Sequence, residues 1–371
     1  MGVVLTSRRW ELLYLSQEDV VRAGGTRMRG TIQAVERSFF LHGVGDYVMP
    51  PKPVIRWGGP ETEETIGRVM SMPAYLGGSR YAEELSRRGL LGPVEACGMK
   101  FIPSRPSNPS RFGLPRASAL VVILDSETLI PRCVMDGAIV SAMRTGAASA
   151  VAARYLARPG SRVLGLVGAS VQGRTQLAAL RCVLPELSLC KVFDLDAGRR
   201  ESFAREMSDL VGVEVRAVSS PEEAIRGSDV VVTATTASEP YVDPSWYADG
   251  VLHVEISFWD TPVEALRVFD RIFVDDWSQV SHHGVDVSYR AVARGILGEE
   301  RISGELGEVV VGRKPGRTSD EERIFFNPIG LGIHDLSEAH RVMLEAERLG
   351  VGRRLVLFED PDAWLRRISL D

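Results

Sequence analysis

From residue 163 onward, short β-branched runs alternate with helical stretches, and this alternation restricts the available folds more than any other feature. Val163–Val167 precedes a helical stretch from Gln172, Lys191–Leu195 precedes one from Ala197, and Val213–Val218 precedes one at Pro221–Arg226. Asp229–Ala234, Val251–Ile256 and Arg271–Val274 continue the series. Strands separated by such helices form βαβ units, so the sheet is parallel. The runs are continuously apolar, which means that both faces of the sheet are covered. The reading is an α/β chain in which residues 141–315 form a doubly wound parallel sheet. The domain opens with a small-residue helix over Ser141–Arg158, stopped by Pro159-Gly160. The flanks, 1–140 and 316–371, mix strand and helix, including a strand at Ala119–Leu124, and are expected to form one discontinuous α+β domain.

At 371 residues the chain is long enough to bury two cores. Its 44% hydrophobic and 25% charged residues exclude disordered, collagenous and coiled-coil classes. A formal charge of −5 speaks against nucleic acid as a partner. No apolar run approaches the ~20 residues of a membrane helix, and Met1-Gly2-Val3-Val4-Leu5-Thr6 has no secretory pattern, although Gly2 and Thr6 fit a loose acylation motif. Cys97, Cys133, Cys182 and Cys190 share no metal-ligand spacing and are too few for a disulfide scaffold, and the adjacent pair His282-His283 is unsuited to a metal. The expectation is a soluble, cytoplasmic, metal-free protein.

The first turn of the wound domain is Gly168-Ala169-Ser170-Val171-Gln172-Gly173. Gly168 and Gly173 hold the outer positions of the G-x-G-x-x-G phosphate loop; Ser170 replaces the middle glycine. The first glycine would make the tight turn and the last would let the helix approach its strand, with a pyrophosphate on the N–H groups at Ser170, Val171 and Gln172. Asp194 ends the next strand 21 residues past Gly173, near the ~20 expected for the carboxylate that binds the adenosine ribose. A carboxylate there favours NAD over NADP, a preference that Arg199 and Arg200 could soften. Thr233, Thr235 and Thr236 follow the fourth strand, either as nucleotide contacts or as a solvated strand end. The domain is therefore read as a Rossmann domain that binds NAD.

Met143-Arg144-Thr145-Gly146-Ala147-Ala148-Ser149-Ala150, the phosphate loop, and Asn327-Pro328-Ile329-Gly330-Leu331-Gly332-Ile333-His334-Asp335-Leu336 resemble the ornithine cyclodeaminase/mu-crystallin family. Val48–Arg56, Lys100–Ser104, Asn108–Arg111, Val274–Gln279 and Glu305–Gly307 resemble its N-(2-amino-2-carboxyethyl)-L-glutamate dehydrogenase branch, which makes 2,3-diaminopropionate for siderophores and antibiotics. The resemblance covers about residues 10 to 358. It implies a homodimer in which the split domain binds an amino-acid substrate and dimerises, and a reaction that begins with hydride transfer from an amino-acid α-carbon to NAD. In cyclodeaminases an internal amine attacks the resulting imine; in this branch water does, releasing 2-oxoglutarate and 2,3-diaminopropionate.

That substrate carries three carboxylates and needs a cationic cleft. Lys100, Arg105, Arg111 and Arg116 occur with no acidic residue between them, and Lys52 and Arg56 form a second pair. By resemblance, Arg56, Lys100 and Arg144 match the substrate-carboxylate and amine environment, with Lys52 beside them; one of Arg105, Arg111 and Arg116 is expected to join. Asp260 matches the family's catalytic aspartate at the carboxyl end of the fifth strand, where it would act as general base, and Lys100 shares the catalytic work. Gly330 resembles a loop near the nicotinamide. Phe258-Trp259 stands where cyclodeaminases carry Gly-Gly, which argues against a small cyclodeaminase substrate. Three readings stay open: the dehydrogenase; a cyclodeaminase or imine reductase; and a nucleotide-binding protein without turnover.

Overall fold

The computed structural model describes residues 9–58 and 66–369. The acylation-like pattern at Gly2 and Thr6 lies outside the described residues.

Seven strands come from the first part of the chain: β1 (Trp10–Leu15), β2 (Tyr47–Val48), β3 (Val54–Trp57), β4 (Gly67–Leu76), β5 (Ala96–Ser104), β6 (Leu120–Leu124) and β7 (Pro131–Asp136). Eight follow in the wound region: β8 (Val163–Val167), β9 (Leu189–Phe193), β10 (Glu214–Ala217), β11 (Val230–Thr233), β12 (Leu252–Glu255), β13 (Arg271–Val274), β14 (Ile302–Glu305) and β15 (Ile324–Asn327). The last strand, β16 (Arg353–Phe358), returns to pair with β1. The first sheet runs β16-β1-β7-β6-β5-β4-β2, with β3 also on β4. It is antiparallel except where β1 meets β7.

The second sheet runs β10-β9-β8-β11-β12-β15-β13-β14, and every ladder in it is parallel. Its central strands β11, β12 and β15 are buried throughout, as continuous apolar runs with both faces covered require. From β8 the chain winds outward to β9 and β10, then crosses back to β11 and β12. The strand order reverses between β8 and β11, and ligands of such sheets bind in the crevice that opens there at the strands' carboxyl ends.

The domain limits differ from the sequence expectation on both sides. Position 316 was expected to begin the return to the split domain, yet β15 lies inside the parallel sheet between β12 and β13. Its Ile-Phe-Phe-Asn run is entirely buried and needs cover on both faces, which the sheet interior supplies. The crossing therefore falls at Pro328–Leu331, ahead of the long helix Gly332–Leu349 that packs on β4, β5 and β6. At the other limit, residue 141 lies inside a helix spanning Ala138–Leu156. That helix packs on helix Met28–Val44 of the split domain and on helix Val171–Val183 of the wound domain, so it serves both. β5 runs through Pro103, and a short helix, Asn108–Phe112, follows.

Candidate functional site

Two polar regions meet where the parallel sheet faces the split domain. The first is a cleft of about 780 Å³ lined by Gly168, Ser170, Asp194, Arg199, Thr235 and Tyr241 among others. Gly168 has φ +110°, and a Cβ on it would lie 2.5 Å from the Ala234 carbonyl; a Cβ on Gly173 would lie 2.2 Å from the Gly168 carbonyl. Both outer glycines are thus sterically required, by the turn and by the close approach of the helix. Ser170 is the extended N-cap of helix Val171–Val183, but its side chain makes no capping bond, so the first-turn N–H groups are left for a ligand.

Asp194 Oδ2 accepts from the Ala169 N–H at 3.0 Å, while Oδ1 accepts from the Asp196 N–H at 3.0 Å and faces Arg199 Nη1 at 3.3 Å. The carboxylate therefore ties the phosphate loop to the end of β9 as well as lining the cleft. The glycine cradle, uncapped helix start and strand-end carboxylate fit a dinucleotide: Gly168, Ser170, Val171, Gln172 and Gly173 would hold its phosphates and Asp194 its adenosine ribose. Thr235 and Thr236 line the same cleft. Thr233 does not; it is buried, with its hydroxyl 3.1 Å from His253 Nε2.

The second region is a buried cationic cluster. Lys100 on β5 donates to Asp335 Oδ1 at 2.8 Å and to Ser141 Oγ at 3.1 Å. Arg144 donates through Nε to the same Asp335 oxygen at 3.0 Å, leaving Nη1 and Nη2 without a hydrogen bond among the described residues. Lys52 donates to the Ile329 carbonyl at 3.1 Å. Burial, with the nearby Arg144 charge, lowers the Lys100 pKa to about 7, and burial lowers that of Lys52 to about 8. The crossing segment completes the cluster. Gly330, at φ +78°, presses so close to Arg144 that a Cβ would lie 2.6 Å from Nη1, and Asp275 accepts from the N–H groups of Ile329 and Gly330 at 3.1 and 2.7 Å.

Lys52, Lys100, Arg144 and Gly330 thus come together, as do Gly168, Ser170, Asp194 and Thr235. Gly330 touches the cationic cluster rather than the phosphate-loop cleft. Arg56 is exposed on β3. Asp260 is completely buried: Thr235 Oγ1 donates to its Oδ1 at 2.5 Å, Ser257 Oγ donates to its Oδ2, and its N–H donates to Glu255. Burial raises its pKa, but among the described residues it forms no bond with Lys52, Lys100 or Arg144. It sits one hydroxyl behind the cleft wall. Phe258 stacks on the His283 ring with centroids 6.2 Å apart, and Trp259 lies under the Arg290 guanidinium at 4.3 Å.

Sequence reasoning missed Asp335, Asp275, Asp286 and Ser141. Asp335 and Asp275 stand inside the motifs that carried the resemblance, and the pairing of Asp335 with Lys100 and Arg144 was the unread signal. Asp286 is buried with neither carboxylate oxygen bonded, and burial beside Asp275 raises its pKa to about 7. Nothing in the local sequence marks it.

The model of the ornithine cyclodeaminase/mu-crystallin family matches residues 13–348. The chain belongs to that family. It is 30% identical over 349 residues to the N-((2S)-2-amino-2-carboxyethyl)-L-glutamate dehydrogenase of Staphylococcus aureus, covering 94% of this chain and 99% of that protein. It is 36% identical over 355 residues to the alanine dehydrogenase of Archaeoglobus fulgidus, with the same coverages. An archaeal alanine dehydrogenase dimer with bound NAD superposes with a TM-score of 0.80 at 32% identity, over 94% of this chain and all of that one.

Proposed function

We propose that this chain oxidatively cleaves N-(2-amino-2-carboxyethyl)-L-glutamate, or a close N-substituted amino acid, to 2,3-diaminopropionate and 2-oxoglutarate. The chain is an NAD-dependent oxidoreductase acting on an amino-acid CH–NH bond. What supports the finer reading is the 30% identity to an N-((2S)-2-amino-2-carboxyethyl)-L-glutamate dehydrogenase over nearly the whole chain; the buried trio Lys52, Lys100 and Arg144 suits the α-carboxylate that any amino-acid substrate carries. The bulk of Phe258 and Trp259, locked against His283 and Arg290, also disfavours a small cyclising substrate.

Bound in the phosphate-loop cleft, NAD would supply the hydride acceptor for the substrate's α-carbon, and the imine so formed would be hydrolysed by water. Arg144 offers two free guanidinium nitrogens and Lys52 an ammonium to the α-carboxylate. Lys100, with a pKa near neutrality, takes the proton that leaves the amine nitrogen, and Asp335 holds its Nζ in place. Asp260 receives a proton through the Thr235 or Ser257 hydroxyl, which separate it from the cleft. The protein works as a homodimer, as its archaeal alanine dehydrogenase neighbour does.

Similarity to alanine dehydrogenases supports a second reading, with alanine as substrate and pyruvate and ammonia as products. Incubation with NAD and each candidate, following NADH absorbance and identifying products by mass, decides between them. Net NADH with 2-oxoglutarate is expected; pyruvate from alanine without 2-oxoglutarate would overturn the proposal. Substrate turnover without net NADH would return the cyclodeaminase or imine reductase reading, and NAD binding without turnover the nucleotide-binding one.

A further inference from the structure

Along the face of the first sheet that carries Lys100 lies a second group of cations, which the buried cluster does not use. Arg56 on β3 stands directly opposite Arg68 on β4, and Arg68 is in turn opposite Ser104 on β5. Lys100 is paired with Met72, so Arg56, Arg68 and Lys100 project from one face, and four residues of strand put the arginine row roughly 13 Å from Lys100 along β5. Arg116 lies beside the row: its carbonyl accepts from the Arg105 N–H at 2.8 Å, its neighbour Ala117 bridges to Ser104, and its charge acts on Arg68.

Like charges directly opposite on antiparallel strands repel. Among the described residues, none of the three arginines has an ion-pair partner or a side-chain hydrogen bond. The like charges of Arg116 and Arg56 add to burial in lowering the pKa of the half-buried Arg68. The hairpin end is held in place, because the Trp57 ring packs over Gly67, whose Cβ would lie 2.6 Å from it. From the wound domain, His283 faces the row. Its half-buried ring feels the charges of Lys52, Arg56 and Arg68 together, and its Nε2 is buried without a partner. Arg56 and Arg68 thus stand opposite one another with the Arg116 charge acting on Arg68, and among the described residues no acid pairs with them.

We propose that Arg56, Arg68 and Arg116 form a subsite for a distal carboxylate of the substrate, namely the side-chain carboxylate of its glutamyl half. The buried Lys52, Lys100 and Arg144 take the α-carboxylate, and the arginine row, reaching back along the same sheet face, takes the second anion. This rests on the amino-acid dehydrogenase reading but adds Arg68, which nothing in that reading required, and selects Arg116 from the three arginines of which one was expected to join. Guanidinium forks bind carboxylates bidentately, so the row selects dicarboxylic over monocarboxylic substrates.

The test is calorimetric titration of the NAD-loaded protein with glutarate and with butyrate, which lacks the second carboxylate. Wild type is expected to bind glutarate at least about tenfold more tightly, and Arg68→Gln and Arg116→Gln to lose about 10- to 100-fold for glutarate while leaving butyrate unchanged. Because each variant removes a repelling charge, the melting temperature without ligand stays level or rises; Arg68→Lys, which keeps charge but not the fork, falls between. Equal losses for both acids, or no preference in wild type, would overturn the subsite. A protein that turns over alanine but still needs Arg68 for glutarate would leave the subsite standing and the proposed reaction fallen. One that turns over the glutamate adduct with a KM indifferent to both substitutions would do the reverse.

Discussion

Lys100 is the residue whose chemistry depends most on its surroundings. On an exposed strand its ammonium would stay protonated far above neutrality; here burial and Arg144 bring its pKa to about 7, while Asp335 alone opposes them. A base works only when unprotonated, so kcat/KM is expected to rise with pH through about 7 and level above it. Lys100→Arg keeps the charge but cannot give up a proton in this range, and should cost at least ~10²-fold in kcat with substrate binding largely kept. A flat profile, or Lys100→Arg with near-normal kcat, would leave the lysine as an anchor only. Asp260 makes a different case: Asp260→Asn should cost about 10²-fold in turnover with NAD affinity unchanged, since the residue lies behind Thr235 and not on the nucleotide. Asp286 is a liability for stability. Its folded pKa, raised to about 7, lies above its unfolded value, so the folded state holds a proton that the unfolded state has lost between about pH 4 and 7, and stability falls as pH rises through that window. Asp286→Asn should therefore stabilise the protein at pH 8 by about 1 to 3 kcal/mol in urea unfolding, with the gain fading toward pH 4.

The βα turn from β8 into helix Val171–Val183 was legible in the sequence because its steric demands are local. Gly168 must turn with positive φ and Gly173 must let the helix approach, and both requirements leave a glycine in place. Asp194 was legible for its spacing, but its bond to the Ala169 N–H was not, since spacing says nothing of which donor a carboxylate takes. Asp194→Ala should weaken NAD far more than NADP in equilibrium titrations, with Arg199 released to meet a 2′-phosphate; equal losses would mean that the carboxylate only braces the loop. The start of the long helix at Ala138 and the placement of β15 were less legible. A buried parallel strand of four residues carries no period of its own, and only its neighbours β12 and β13 assign it to the wound sheet.

Both sites depend on how closely the two domains pack, and helix Ala138–Leu156 sets that distance. Its alanines are buried on several sides, and at Gly146 it comes so near helix Val171–Val183 that a Cβ would lie 2.5 Å from the Thr175 carbonyl. The same helix holds Arg144 in the cationic cluster, two residues before, while the helix it presses against offers its N-terminus to the nucleotide phosphates. The small-residue pattern of this segment was visible in the sequence, but the partner that demands it was not, because the contact joins elements of different domains. Gly146→Val should then act at a distance. Forcing the helices apart is expected to destabilise the protein by about 1 to 3 kcal/mol and to weaken NAD and substrate together, as a shift of the phosphate-binding turn away from Arg144 requires. Gly146→Ala, with one methyl against a backbone carbonyl, should do the same to a lesser degree. Unfolding titrations with and without NAD separate the two effects: loss of stability with nucleotide affinity intact would mean that the phosphate loop is positioned by the sheet alone.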